Sequence, residues 1–71
     1  MHYSVMATDV EAVLEAIRGV TLCIVCIARK VGLAPLSVIS ALATVGQRVQ
    51  ITDAVERCDD CLYVKNTHRA A

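Results

Sequence analysis

The 71-residue sequence predicts an α+β domain: three helices, a short strand between the first two, and a C-terminal β-hairpin, with four cysteines placed to bind a metal ion. Three observations point there. Apolar residues recur at helical spacing from Val10 to Val45, the period shortens to two after Arg48, and the cysteines form two matched pairs, Cys23-x2-Cys26 and Cys58-x2-Cys61. Apolar residues make up 56% of the chain, yet Phe and Trp are absent and the only aromatics are Tyr3 and Tyr63, so the core is aliphatic. Such a core suits small close-packed helices better than a large ligand pocket. The whole chain reads as one domain with an ordered core over about residues 8–65 and flexible ends, a size at which a core alone yields about 3–5 kcal/mol and a staple is usually needed.

Thr8-Asp9-Val10-Glu11 has the pattern of a capping box, in which Thr8 would accept an N–H bond three residues on and Glu11 would reach back. Val10, Val13, Leu14 and Ile17 then form one buried stripe, Glu11, Glu15 and Arg18 face water, and Gly19 ends the helix. Val20-Thr21-Leu22 is too short for another helix and reads as a strand. A second helix fits Cys23 to Val31 and stops at Gly32, in the left-handed conformation that glycine tolerates. Pro35 opens a third helix, predicted to reach Val45 and to be closed by Gly46, with Val38, Ala41, Leu42 and Val45 as its buried stripe. Beyond it, Val49 and Ile51 alternate with Arg48 and Gln50, Thr52-Asp53-Ala54 reads as a turn, and Val55 to Tyr63 resumes an extended course around the second cysteine pair. The tail from Asn66 to Ala71 is expected to be disordered, and no repeat, low-complexity segment or linker is visible.

Seven basic and seven acidic side chains cancel, which removes the simple electrostatic argument for nucleic acid. The distribution is less even. No acid lies between Ala16 and Thr52, where Arg18, Arg29, Lys30 and Arg48 sit, while the acids gather at Asp9 to Glu15 and Asp53 to Asp60. The start of the chain lacks the basic and apolar regions of a signal peptide. The longest uncharged run, Val31 to Gln47, is 17 residues interrupted by glycine, proline and hydroxyl residues, short of the roughly 20 apolar residues a membrane span needs. A soluble cytoplasmic protein without membrane association is the expectation.

Ile24 to Ala43 resembles the helix-turn-helix pattern of bacterial regulators: Ile27, Ala28, Val31, Gly32, Leu33 and Val38 match its apolar positions, its small residue in the first helix and its turn glycine. With the hairpin, the chain looks like a winged-helix domain over about residues 8–64. The resemblance implies that the third helix would enter the major groove, with Ser37, Ser40 and Thr44 on one face, while Arg29, Lys30, Arg48, Arg57 and Lys65 would hold phosphates. The third helix itself carries none of the Arg, Lys, Asn or Gln side chains that usually read bases, so any DNA binding is expected to be weak and mainly electrostatic. Leu36, Ile39 and Ala43 form a second apolar stripe on that helix, which reads as a protein interface for a partner or a second copy.

Two C-x2-C pairs are what a closed tetrahedral zinc site with four thiolate ligands requires, because each pair turns two sulfurs toward one ion at about 2.3 Å. In a reducing cytoplasm such pairs bind metal more often than they form disulfides. The intervening 31 residues exceed the spacing of common zinc ribbons. The first pair falls at a helix N-terminus, where the dipole favours thiolates. An iron–sulfur cluster would use the same four residues, and without a metal the cysteines would be buried hydrophobes or free thiols. Small winged-helix proteins associated with ferrous-iron uptake are similar in size, but they cluster their cysteines within the wing. A dithiol oxidoreductase would need a βαβ frame around the pair, and none is visible. His2 and His68 fall in the expected flexible ends, Asp59 and Asp60 are expected to solvate the cysteine loop, and no nucleophile–base set or phosphate loop is present. The reading is a zinc-stabilised winged-helix protein, a DNA-associated regulator or alternatively an interaction module of the same fold, with no enzymatic activity and no small-molecule substrate.

Overall fold

A computed structural model of the chain describes residues 7–71. In chain order the elements are α1 (Ala7–Ile17), β1 (Leu22–Cys23), α2 (Ile24–Val31), α3 (Pro35–Arg48), β2 (Ile51–Arg57) and β3 (Val64–Ala70). Three helices pack beside a three-stranded antiparallel sheet of order β1-β3-β2, so the architecture is α+β.

The helical stripes meet in the core. Val10, Val13, Leu14 and Ile17 of α1, Cys26, Ile27 and Ala28 of α2, and Val38, Ala41, Leu42 and Val45 of α3 are buried together with Leu22 and Ala70. These are the positions that 3.6-residue periodicity selects, which is why the helices were readable from sequence. Between α2 and α3 the chain turns at Gly32, whose φ of 71° is left-handed and whose N–H donates to the Ala28 carbonyl at 2.9 Å. The two helices cross at 98°. Among the described residues no single helix is long and apolar enough to cross a membrane.

Several boundaries differ from expectation. Thr8 lies inside α1, one residue past its first position, and so does not cap it. Gly46 lies inside α3, which runs on to Arg48 and ends where Val49 donates to the Val45 carbonyl at 2.9 Å. A mid-helix glycine costs about 1 kcal/mol relative to alanine, too little to stop a helix whose next turn is otherwise favourable.

The larger corrections concern the sheet. Thr52-Asp53-Ala54 is no turn but the body of β2, and the chain reverses instead through the loop Cys58 to Tyr63. The expected flexible tail from Asn66 onward is the centre of the sheet: β3 pairs with β1 at Leu22↔His68 and Cys23↔Thr67, and with β2 from Arg57↔Val64 to Ile51↔Ala70. The ordered core therefore extends to Ala70, whereas the N-terminal end, with His2, lies outside the described residues. β3 escapes a hydropathy reading because its buried positions, Thr67 and Ala70, are small or polar. The Thr67 hydroxyl is satisfied by the Ala54 carbonyl at 2.8 Å. Ala70 also ties β3 to the turn after α1, accepting a bond from the Gly19 N–H at 2.9 Å and bridging Arg18.

Candidate metal centre

Cys23 is the last residue of β1 and the residue preceding α2, with extended backbone (φ −81°, ψ 164°). Cys26 follows in the first turn of that helix, so both thiols leave one helix end. Pairing of β1 with β3 lays this end beside the hairpin. There the loop between β2 and β3 presents the second pair. Cys58 donates its N–H to the Tyr63 carbonyl at 2.9 Å and accepts at its own carbonyl from Leu62 at 3.0 Å. The tight reversal forces Leu62 to a φ of 69°.

The loop is also fastened to the chain ahead of β1. The Asp59 N–H donates to the Thr21 carbonyl at 2.8 Å, and its carboxylate accepts from the Thr21 N–H at 2.9 Å. Asp59 thus positions the loop in addition to facing water. This link spans 38 residues of sequence and ends on a backbone group, so no side-chain pattern announces it.

The four sulfurs converge. All lie within 4.8 Å of one another, and the Cys23 and Cys61 sulfurs are 3.9 Å apart. A tetrahedron with metal–sulfur bonds of about 2.3 Å has edges of about 3.8 Å, so the set matches a single four-coordinate ion. No cysteine is in a disulfide. Cys23, Cys26 and Cys58 are buried and Cys61 is half-buried, which leaves the cluster closed on most sides.

Electrostatics within the cluster are uneven. Burial pushes the Cys26 thiol well above the ordinary range, and hydrogen bonding with the thiols of Cys23, Cys58 and Cys61 adds to this. Burial also acts upward on Cys58, but backbone N–H groups of Cys61, Cys23 and Asp60 outweigh it and bring the thiol down to about 6. The Cys23 N–H lies 3.4 Å from the Cys58 sulfur. The thiolate-favouring position is therefore in the hairpin loop, while at Cys26 desolvation overrides the helix dipole that the sequence suggested. A metal ion would supply the charge that lets all four thiols deprotonate together.

Leu62 offers a test of the loop geometry. A left-handed backbone costs a side-chain-bearing residue about 1–2 kcal/mol, and the Leu62 side chain is mostly exposed, so it gains little from packing. Leu62→Gly is expected to raise thermal stability by the equivalent of about 1 kcal/mol after glycine's extra unfolded-state entropy is subtracted. Unchanged or lower stability would place the strain elsewhere.

The remaining candidate residues are spread over the fold. Arg29 and Lys30 are exposed at the end of α2. Arg48 ends α3 and pairs with Glu11 at 3.4 Å. Arg57 ends β2, and Lys65, near the start of β3, lies 5.8 Å from the Tyr63 ring centroid. On α3, Ser37, Ser40 and Thr44 are half-buried, and the Thr44 hydroxyl donates to the Ser40 carbonyl at 3.4 Å. Leu36 and Ile39 are instead 67% and 52% exposed, and Ala43 is exposed beside them. Ile39 and Ala43 line an open groove of about 890 Å³ between α3 and the sheet, whose other wall includes Ile51, Asp53 and Val55. In that wall His68 Nδ1 lies 2.6 Å from Asp53 Oδ1. Neither the groove nor this pair was foreseen; both depend on the register of β3.

Comparison with family models, with curated proteins and with solved structures gave no match.

Proposed function

We propose that the chain is a winged-helix domain, held together by one structural zinc on Cys23, Cys26, Cys58 and Cys61, and that it works as a protein-binding module through the apolar face of α3. The order of elements, the sheet order and the near-perpendicular α2–α3 pair support the winged-helix reading. Four thiolates around a space for one ion suit zinc better than a cluster that must also house inorganic sulfide. With all four positions taken by protein, the ion has no open site for a substrate, so its role is structural.

One observation favours protein binding over DNA reading. On α3 the hydroxyl residues are turned partly inward while Leu36, Ile39 and Ala43 face out, the reverse of what a groove-reading helix needs. Covering two such aliphatic side chains is worth about 1.5–3 kcal/mol each. Ile39→Asp is expected to abolish association while leaving the folded spectrum and melting temperature nearly unchanged. Sedimentation of wild type and variant, with circular dichroism of each, measures both halves; a variant that unfolds would assign Ile39 to the core.

The second reading, a DNA-associated regulator, is favoured by the exposed cations Arg29 and Lys30 beside the turn. Under it, random duplex would bind with steep salt dependence, and Arg29→Ala with Lys30→Ala would weaken binding to all sequences alike. Absence of a shift at physiological salt removes that reading.

A further inference from the structure

The sheet has order β1-β3-β2, which leaves the seven-residue β2 at an edge. In an antiparallel pair, alternate residues direct N–H and C=O groups away from the partner strand, so β2 offers an outer row of backbone donors and acceptors. Among the described residues only β3 packs extensively along it. The strand contains neither proline nor glycine, and at its middle Val55 is 68% exposed. Ile51, Asp53 and Val55 alternate along β2 and all line the groove beneath α3, so a strand added to this edge would continue the groove's floor.

What that strand is follows from the charges on β2. If it is a second copy, a two-fold axis normal to the sheet must run between two copies of one residue, because the axis has to map each opposed pair onto itself or an equivalent pair. Centring on Asp53 or on Glu56 sets like charges directly opposite, which is destabilising. Centring on Ala54 opposes Asp53 to Val55 and Ile51 to Arg57. Centring on Val55 opposes Val55 to Val55 and, on both sides, Asp53 to Arg57. Both charged residues are exposed, and Arg57 forms no ion pair among the described residues.

We propose that two copies of this chain join antiparallel through the outer edges of β2, in the register that sets Val55 against Val55 of the second copy and Asp53 against its Arg57. The result is a continuous six-stranded sheet, and the second Val55 extends the apolar floor of the groove beside Ile39 and Ala43. The inference builds on reading the α3 groove as a protein-binding surface and sets a second copy along its β2 edge.

The test is charge complementation by sedimentation equilibrium of the metal-loaded full chain. Wild type is expected to be a dimer. Asp53→Arg alone and Arg57→Asp alone each oppose like charges twice, and each should weaken association by about tenfold or more. Mixing the two variants should restore association as a heterodimer, and the chain carrying both substitutions should dimerise like wild type. Circular dichroism shows that each remains folded. A monomeric wild type, single variants that dimerise unimpaired, or a mixture no better than its components would overturn the proposal. If complementation fails while Ile39→Asp still dissociates the wild-type dimer, the α3 face stands and the β2 register falls. If complementation succeeds while Ile39→Asp has no effect, the register stands and the α3 reading falls.

Discussion

Cys58→Ala is expected to abolish cooperative unfolding of this domain, as is treatment of the wild-type chain with a strong chelator if the four cysteines hold the proposed zinc. A structural zinc on thiolates contributes on the order of 10 kcal/mol at neutral pH, while a core of this size supplies only about 3–5 kcal/mol. Cys58 is the sharpest choice because it is fully buried, it closes its own loop on the Tyr63 carbonyl, and that loop reaches the Cys23 backbone N–H and, through Asp59, the chain at Thr21. Thermal melts followed by circular dichroism should show a single transition for the wild type and none for either metal-free sample. Cys61→Ala, which removes the one half-buried ligand, is expected to lose the same metal but to bury no new cavity. A sigmoidal melt for Cys58→Ala close to that of wild type would mean that the aliphatic core holds the fold unaided.

Ending the chain at Lys65 is expected to have an effect of comparable size, although the deleted segment looks from its composition like a solvated tail. The truncation removes five of the seven residues of β3, the strand that joins β1 to β2. With it go the buried Thr67 and Ala70, the β1 pairing that sets Cys23 beside the hairpin, and the anchor of Gly19 on the Ala70 carbonyl. β2 then has nothing to pair with, and a lone strand is not stable in water. The expected product is an unfolded or aggregated chain with sharply weakened metal affinity. Deleting Ala71 alone, which is exposed and outside β3, should be tolerated. A Lys65-terminated chain that melts like wild type would show that β3 contributes little to the fold.

The contrast between these two expectations reflects which physical signals reach the sequence. Helices announce themselves because Val13, Ile17, Ile27, Val38 and Val45 must recur on one side of each cylinder to be buried. The cysteines do so because two ligands per turn fix their own spacing. The sheet does not. β3 buries only Thr67 and Ala70, and its place at the centre of the sheet comes from backbone pairing on both sides, to which side-chain hydropathy is blind. Thr52-Asp53-Ala54 has turn-like residues, but the reversal is made six residues later by the cysteine loop itself, and that displaced the hairpin register. The link between Asp59 and Thr21 and the pair of His68 with Asp53 were out of reach for the same reason, since each is a consequence of where β3 lies.

The absence of charge from α3 before Arg48 has a local explanation. Val38, Ala41, Leu42 and Val45 face the core, while Leu36, Ile39 and Ala43 are exposed, Ile39 and Ala43 along the wall of an open groove. Both sides of α3 are thus apolar, one buried for folding and the other the face proposed for association.

The direct test of the zinc centre is native mass spectrometry of the chain, purified under reducing conditions without added metal and paired with thiol titration. One zinc per chain is expected, with all four thiols slow to react until a chelator is added, after which four react together as the fold is lost. A metal-free chain that remains folded, with four thiols freely titratable from the start, would contradict it.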